Sequence, residues 1–191
     1  LLSGATGAVR ISGPEAFTIA ETVFSVSLAD KPGHTLHYGV VYDSAGRALD
    51  DVVASVYRAP KSFTGEDIVE FSCHGSVYVL RELVKALISH GARQAQRGEF
   101  SKRAFMNGKI DMAQAQGIID LIESESEKEA WIAYRHLSGS LSKKIEEIRQ
   151  PLLEITAQIL AYIDYPDDEI GEISSETLQK SIFSARDSIV S

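Results

Sequence analysis

The sequence predicts an α+β fold, a mixed strand-and-helix domain over residues 1–110, followed by an all-α bundle segment over 111–191. Two changes of period carry this expectation. Before residue 110 the apolar residues fall in short runs rich in Val, Tyr and Thr, separated by turn residues, as strands require. Beyond Asp111 they recur at steps of three and four, as in helices packed side by side. The composition, 44% apolar and 24% charged over 191 residues, is enough for a buried core.

The elements follow in order. Gly7–Ile11 reads as a strand, and Ser12-Gly13 turns the chain into a helix with Pro14 at its first position, where a missing N–H costs little. His34–Asp43 and Asp50–Pro60 form a hairpin around Ser44-Ala45-Gly46. Glu66–Gly75 is another strand, in which Ile68 and Glu70 alternate with Val69 and Phe71. Ser76–Ala92 is helical, with Val79, Leu83, Ala86 and Leu87 on one stripe and Gly91 as the stop. Arg93–Gln96 is expected to add a short strand, and Arg97–Lys109 a shaped loop with Phe100 and Phe105 packed inward. Asp111 caps the next helix, Gln114 reaching back in a capping box, and Ile118, Ile119 and Ile122 face a core. Leu141, Ile145, Ile148, Leu152, Ile155, Ile159 and Tyr162 then keep a bundle spacing, with Pro151 inside the run. Tyr165-Pro166 ends that helix, and the acidic stretch from Asp164 to Glu176 reads as a solvated loop. A last helix starts at Ser174, stapled by Ile173 and Leu178. Its face of Leu178, Ile182, Ala185 and Ile189 has no mate within the chain.

Charge and cysteine usage narrow the function classes. A net charge of −8 excludes a surface that binds nucleic acid everywhere, though a local basic patch remains open. The one cysteine, Cys73, excludes an internal disulfide framework; it reads as a small buried strand residue in a protein of a reducing compartment. No apolar run approaches the roughly 18 residues of a membrane span, and no signal peptide is present, so a cytoplasmic protein is expected. The start at Leu1, inside a strand approach, reads as that of a fragment.

Three features invite chemistry. Arg93, Arg97, Lys102, Arg103 and Lys109 gather around one acid, Glu99, so this stretch is locally +4; either a solvated face or a site for an anion fits. Glu70 is a carboxylate within a half-buried strand and needs a partner, either a structural Arg or a ligand offering two parallel N–H donors. Arg10 is either an edge-strand Arg in solvent or a guanidinium facing a pocket. Glu66 and Asp67 read as turn and cap, because no second His or Cys stands near His74 at ligand spacing. Neither a G-x-S-x-G elbow nor a G-x-x-x-x-G-K-[ST] phosphate loop occurs.

Taken together, VRISG (9–13), SFTGEDIVEFSCHG (62–75), RGEFSKRAFMNGKIDMAQAQGIIDLI (97–122) and YIDYPDDEI (162–170) resemble the N-terminal part of the MnmE (TrmE) family of tRNA-modification GTPases. The resemblance runs through nearly the whole chain in order. It departs where the TPPG segment would precede Arg10, at Ser76 for a common second Gly, and at Arg97 for the usual Pro. It implies a folate-binding, dimerising α+β domain over 1–110 and the first part of a helical domain over 111–191, ending before an inserted Ras-like G domain. Matched by position, the folate residues are Arg10, Glu70 and Lys109. Glu70 would accept from the pterin edge, and Arg10 and Lys109 would meet the carboxylates of the glutamate tail. The implied cofactors are a tetrahydrofolate derivative (5-formyl- or methylene-tetrahydrofolate) and, in the absent G domain, GTP, Mg²⁺ and K⁺. The implied partners are a second copy, the FAD flavoprotein MnmG and tRNA, with no membrane. The implied activity is addition of an aminomethyl-type (carboxymethylaminomethyl) group to carbon 5 of wobble uridine. Two alternatives stand beside it: a dimerisation scaffold with a vestigial folate pocket, and a free-standing folate-dependent one-carbon transferase.

Overall fold

In the computed structural model, residues 4–164 and 175–190 are described, the last helix without its side chains at 175–178, 181, 188 and 190. The chain divides into two compact units, Leu1–Ile110 and Asp111–Ser191.

The first unit is α+β. Its strands β1 (Thr6–Ser12), β2 (Thr35–Tyr42), β3 (Ala48–Tyr57) and β4 (Ile68–His74) form an antiparallel sheet in the order β1-β4-β3-β2. Helices α1 (Ala16–Thr22) and α2 (Val77–Ser89) contribute Phe17, Ile19, Ala20, Leu83, Ala86 and Leu87 to its core. Strand alternation decides what meets them. Val9, Val52, Ala54, Val56, Val69, Phe71 and Cys73 join that core, so their neighbours Ala8, Arg10, Glu70 and Ser72 point to the other face. Burial pushes the Cys73 thiol up to about 11, with the Asp50 carboxylate adding to the effect, so this sulfur is an inert packing group.

The structure corrects several expectations in this unit. α1 begins at Ala16, two residues later than Pro14, because Ser12–Glu15 is spent on the turn, with the Ala16 amide donating to the Gly13 carbonyl. Arg93–Gln96 is irregular and pairs with no strand. Arg97–Lys109 is not a loop. Glu99–Met106 forms a helix, α3, entered through Gly98, whose φ of 74° suits a residue without a Cβ. Phe105 lies on its outer side, 40% exposed, rather than packed inward.

In the second unit α4 (Met112–Glu123) starts with the expected capping box: Asp111 accepts from the Gln114 amide at 2.9 Å, and Gln114 accepts from the Asp111 amide at 3.0 Å. α5 (Glu127–Leu137) was not legible as a separate helix, although Ser126 caps it and its acids and bases sit at the ends that the helix dipole favours. α4 and α5 are antiparallel, since the Gln114 side chain donates to the Leu137 carbonyl. They touch at Gly117, where a Cβ would come within 2.7 Å of the Leu137 amide nitrogen. That close approach turns the helix: Gly117 and Ala133 are buried, while Ile119 and Ile122, expected in a core, are 48% and 79% exposed.

α6 (Ser140–Asp164) carries the expected apolar spacing, with Pro151 inside it, yet buries none of its residues. α5 and α7 (Ser175–Val190) pack against it and the Asp111 carboxylate before α4 takes a hydrogen bond from Ser142, yet its stripe stays largely open. In α7 Ala185 is buried, whereas Ile182 and Ile189 are 52% and 69% exposed. The Tyr165-Pro166 stop, most of the acidic loop, and the Ser174 start with its Ile173–Leu178 staple lie outside the described residues.

Candidate functional site

The sheet register assembles the site. Leu36 lies opposite Ser55, Ser55 opposite Glu70, and Glu70 opposite Arg10, so these four form one row across all four strands on the face away from α1 and α2. Arg10 Nε donates to Glu70 Oε2 at 2.6 Å, and Nη2 pairs with the same oxygen. Of the two partners open to Glu70 from sequence, the structure places the Arg. Glu70 Oε1 meets no donor among the described residues, and the side chains of Arg10 and Glu70 are 44% and 21% exposed. The Arg10 guanidinium also lies 5.7 Å from the centroid of Phe100, at a distance where a cation is attracted to the ring. The pair therefore keeps one free carboxylate oxygen and free guanidinium N–H groups at the surface.

α3 organises the basic cluster. Glu99, in its first turn, accepts from both Arg93 and Arg103 and from the Gln96 amide at 2.8 Å. These contacts, those of Arg93 first, hold its carboxyl far below the ordinary 4.5. The sign follows. Glu99 binds its proton less readily folded than unfolded, so its stabilisation is complete above the ordinary carboxylate range and fades as pH falls through it. Glu99→Gln should thus lower the melting temperature at pH 7, and the gap from the parent should narrow from pH 5 to pH 3. A constant gap would show that the ion pairs carry no stability.

Arg103 is the hub. Besides Glu99, it donates to Glu66 Oε2 at 3.0 Å. Ser12 Oγ donates to the same Glu66 oxygen at 2.8 Å and lies 2.8 Å from Thr64 Oγ1, which is fully buried. Asn107 Nδ2 donates to the Thr64 carbonyl at 2.7 Å, and Lys109 Nζ to the Pro60 carbonyl at 2.9 Å. Gly65, next after Thr64, turns the chain at φ 78°, and a Cβ there would lie 3.2 Å from Lys109 Cγ. Of the five cations, Arg93 and Arg103 are neutralised by acids, Lys109 rests on a carbonyl, and Arg97 and Lys102 make no ion pair among the described residues.

A cavity of about 430 Å³ opens beside the outer edge of β1, with Ile19, Val84 and Leu87 as apolar lining and Arg10, Phe100 and Arg103 as its polar and aromatic side. Glu70 and Lys109 do not line it. The structure brings Arg10 and Glu70 into contact, and Lys109, on the turn after α3, donates to the Pro60 carbonyl. The sequence placed Arg103 only among the clustered cations and Glu66 only as a turn residue, and it gave no sign of Asn107. The four-residue step from Glu99 to Arg103 was the one signal for α3. Asp67 caps the Ala59 amide, and His74 is held by Asp50 at 2.7 Å. Among the described residues no three His, Cys, Asp or Glu side chains group as metal ligands, and no helix is long and apolar enough to cross a membrane.

Comparison with known proteins adds the context. Residues 1–109 match the family described as GTP-binding protein TrmE N-terminus, and residues 112–191 match the MnmE helical domain. The chain is similar to the tRNA modification GTPase MnmE of Carboxydothermus hydrogenoformans, 45% identical over 184 residues, which is 94% of this chain and 40% of that protein. It is 47% identical to the protein of the same name from Lactococcus lactis subsp. cremoris over 177 residues, 92% of this chain and 39% of that one. The Geobacillus thermodenitrificans protein of that name is 43% identical over 183 residues, 93% of this chain and 40% of its own length. The chain thus spans about 40% of the length of the curated relatives that it matches.

Proposed function

Because the chain belongs to the MnmE (TrmE) family, we propose that its first unit binds a tetrahydrofolate derivative and dimerises, serving modification of wobble uridine in tRNA. The observation that carries the reading is the Arg10–Glu70 pair, partly exposed on one sheet face with Glu70 Oε1 uncommitted. A pterin edge presents adjacent N–H groups, and a carboxylate with a spare oxygen accepts from it. Arg10 and Glu70 touch, so they serve the same end of the ligand. The tail carboxylates then fall to Lys109, whose ammonium keeps N–H groups beyond the one given to Pro60. This revises the assignment of Arg10 to the tail.

The same face exposes Leu36 and Tyr38, each at 70%, and this apolar area supports a second copy as the partner of the sheet. In the full reaction the bound folate supplies a one-carbon unit to carbon 5 of uracil, and hydride chemistry belongs to FAD on the flavoprotein MnmG. The product is an aminomethyl-type group, carboxymethylaminomethyl among them, and a tRNA substrate puts the work in the cytoplasm. These 191 residues carry no phosphate-cradling Gly loop, so they do not fit GTP with its Mg²⁺ and K⁺.

Isothermal titration with 5-formyltetrahydrofolate tests the reading. Saturable binding without nucleotide is the expected result. No heat at millimolar ligand would overturn it and leave the scaffold, whose apolar sheet face asks only for a second copy.

A further inference from the structure

We infer that Arg103 and Asn107 are positioning residues that set where Lys109 stands relative to the Arg10–Glu70 pair. The inference rests on the folate reading above and names the residues that give that site its shape. Four residues apart, they lie at the end of α3 on one face, Asn107 as its C-cap. Both reach the Ser62–Asp67 turn, by different routes. Arg103 holds Glu66, which also accepts a hydrogen bond from the Ser12 hydroxyl. Asn107 holds the Thr64 carbonyl, while the buried Thr64 hydroxyl sits against the same Ser12.

A ring of contacts results: Ser12, Glu66, Arg103, Asn107, Thr64 and back to Ser12. Ser12 is two residues beyond Arg10 on β1 and therefore on the same face. Lys109 is two residues beyond Asn107, its stem against Gly65 and its ammonium on Pro60. The ring thus ties the strand carrying Arg10 to the turn carrying Lys109. Ion pairs as exposed as Arg103–Glu66, at 30% and 27%, add little to stability, so their fixed geometry is their main consequence. The bidentate reach of a guanidinium is what spans Glu66 and Glu99 together.

Two conservative variants test this. Arg103→Lys keeps the charge and loses the fork. Asn107→Asp is nearly isosteric and turns an acceptor toward the Thr64 carbonyl. Affinity for 5-formyltetrahydrofolate would be measured for each in the 191-residue chain, with Lys109 intact and with Lys109→Ala. Each variant should weaken binding about threefold to tenfold with Lys109 present and have less than about twofold effect once Lys109 is gone, the coupling expected of residues that act through one another. Acetic anhydride labelling of Lys109, relative to exposed Lys128 in the same molecule, reads its position without ligand. It should change by at least about twofold in both variants. Equal losses in the two backgrounds, or an unchanged Lys109 labelling ratio, would overturn the inference. Failure of the parent chain to bind the folate would defeat the folate reading instead, and the labelling ratio alone would then decide whether Arg103 and Asn107 place Lys109.

Discussion

Glu70→Gln should weaken the binding of 5-formyltetrahydrofolate by about tenfold to a hundredfold while lowering stability by no more than about 1 kcal/mol. The substitution keeps the shape but turns one acceptor oxygen into a donor. Arg10 holds Oε2 of Glu70, so the amide rotates to keep its remaining oxygen toward the guanidinium. That leaves the NH₂ group in the place of the uncommitted Oε1, head-on to any pterin N–H that this oxygen would receive. A charge-assisted hydrogen bond is worth roughly 1.5–3 kcal/mol, which gives the tenfold to hundredfold range. The fold suffers little because the ion pair is partly open to water, which screens it, and the amide is nearly isosteric. Melting temperature and affinity measured on one variant separate the two roles of Glu70. A destabilised protein with unchanged affinity would reduce Glu70 to a cross-strand partner of Arg10 and retire it from the ligand site.

Phe71→Ala is expected to cost the first unit about 3–5 kcal/mol, the range for truncating a buried aromatic. Phe71 is fully buried at the middle of β4, opposite Val9 on one side and Ala54 on the other. Its ring meets Phe24 edge to face at 5.5 Å, so the deletion removes an aromatic contact and opens a gap between sheet and helices. Domains are stable by only about 5–15 kcal/mol in total, so the loss should be conspicuous. Urea unfolding followed by hydrogen exchange on β1 to β4 measures it. A loss below about 1 kcal/mol would mean that α1 and α2 close over the gap.

Local pattern made most of the fold legible. The strands of the hairpin and β4, the stripe on α2 and the Asp111–Gln114 box are each written in a few consecutive residues, and each stands where the sequence puts it. α3 escaped because Arg97–Lys109 is poor in apolar residues and bracketed by Gly98 and Gly108, the composition of a loop. What makes it helical is charge: Glu99 at its start, fixed by Arg93 from outside and by Arg103 one turn on. The helical unit failed differently. Spacing correctly shows that Ile119, Ile122 and the α6 series belong to helices, yet spacing alone does not say which stripe meets a neighbour. A glycine that lets α4 and α5 touch outweighed the larger side chains.

The candidate site shows the same division. By itself, the sequence determined that Glu70, alternating inside a strand, needed a partner, and that an acidic chain concentrated its cations before Asp111. Only the tertiary structure decided that the partner is Arg10, 60 residues away, and that Glu66, Arg103 and Asn107 bind the cluster to β1. The physical reason is that burial and alternation are properties of neighbours along the chain, readable residue by residue. Which charge answers which depends on strand register and helix placement, and these are set by packing between residues that the chain keeps far apart.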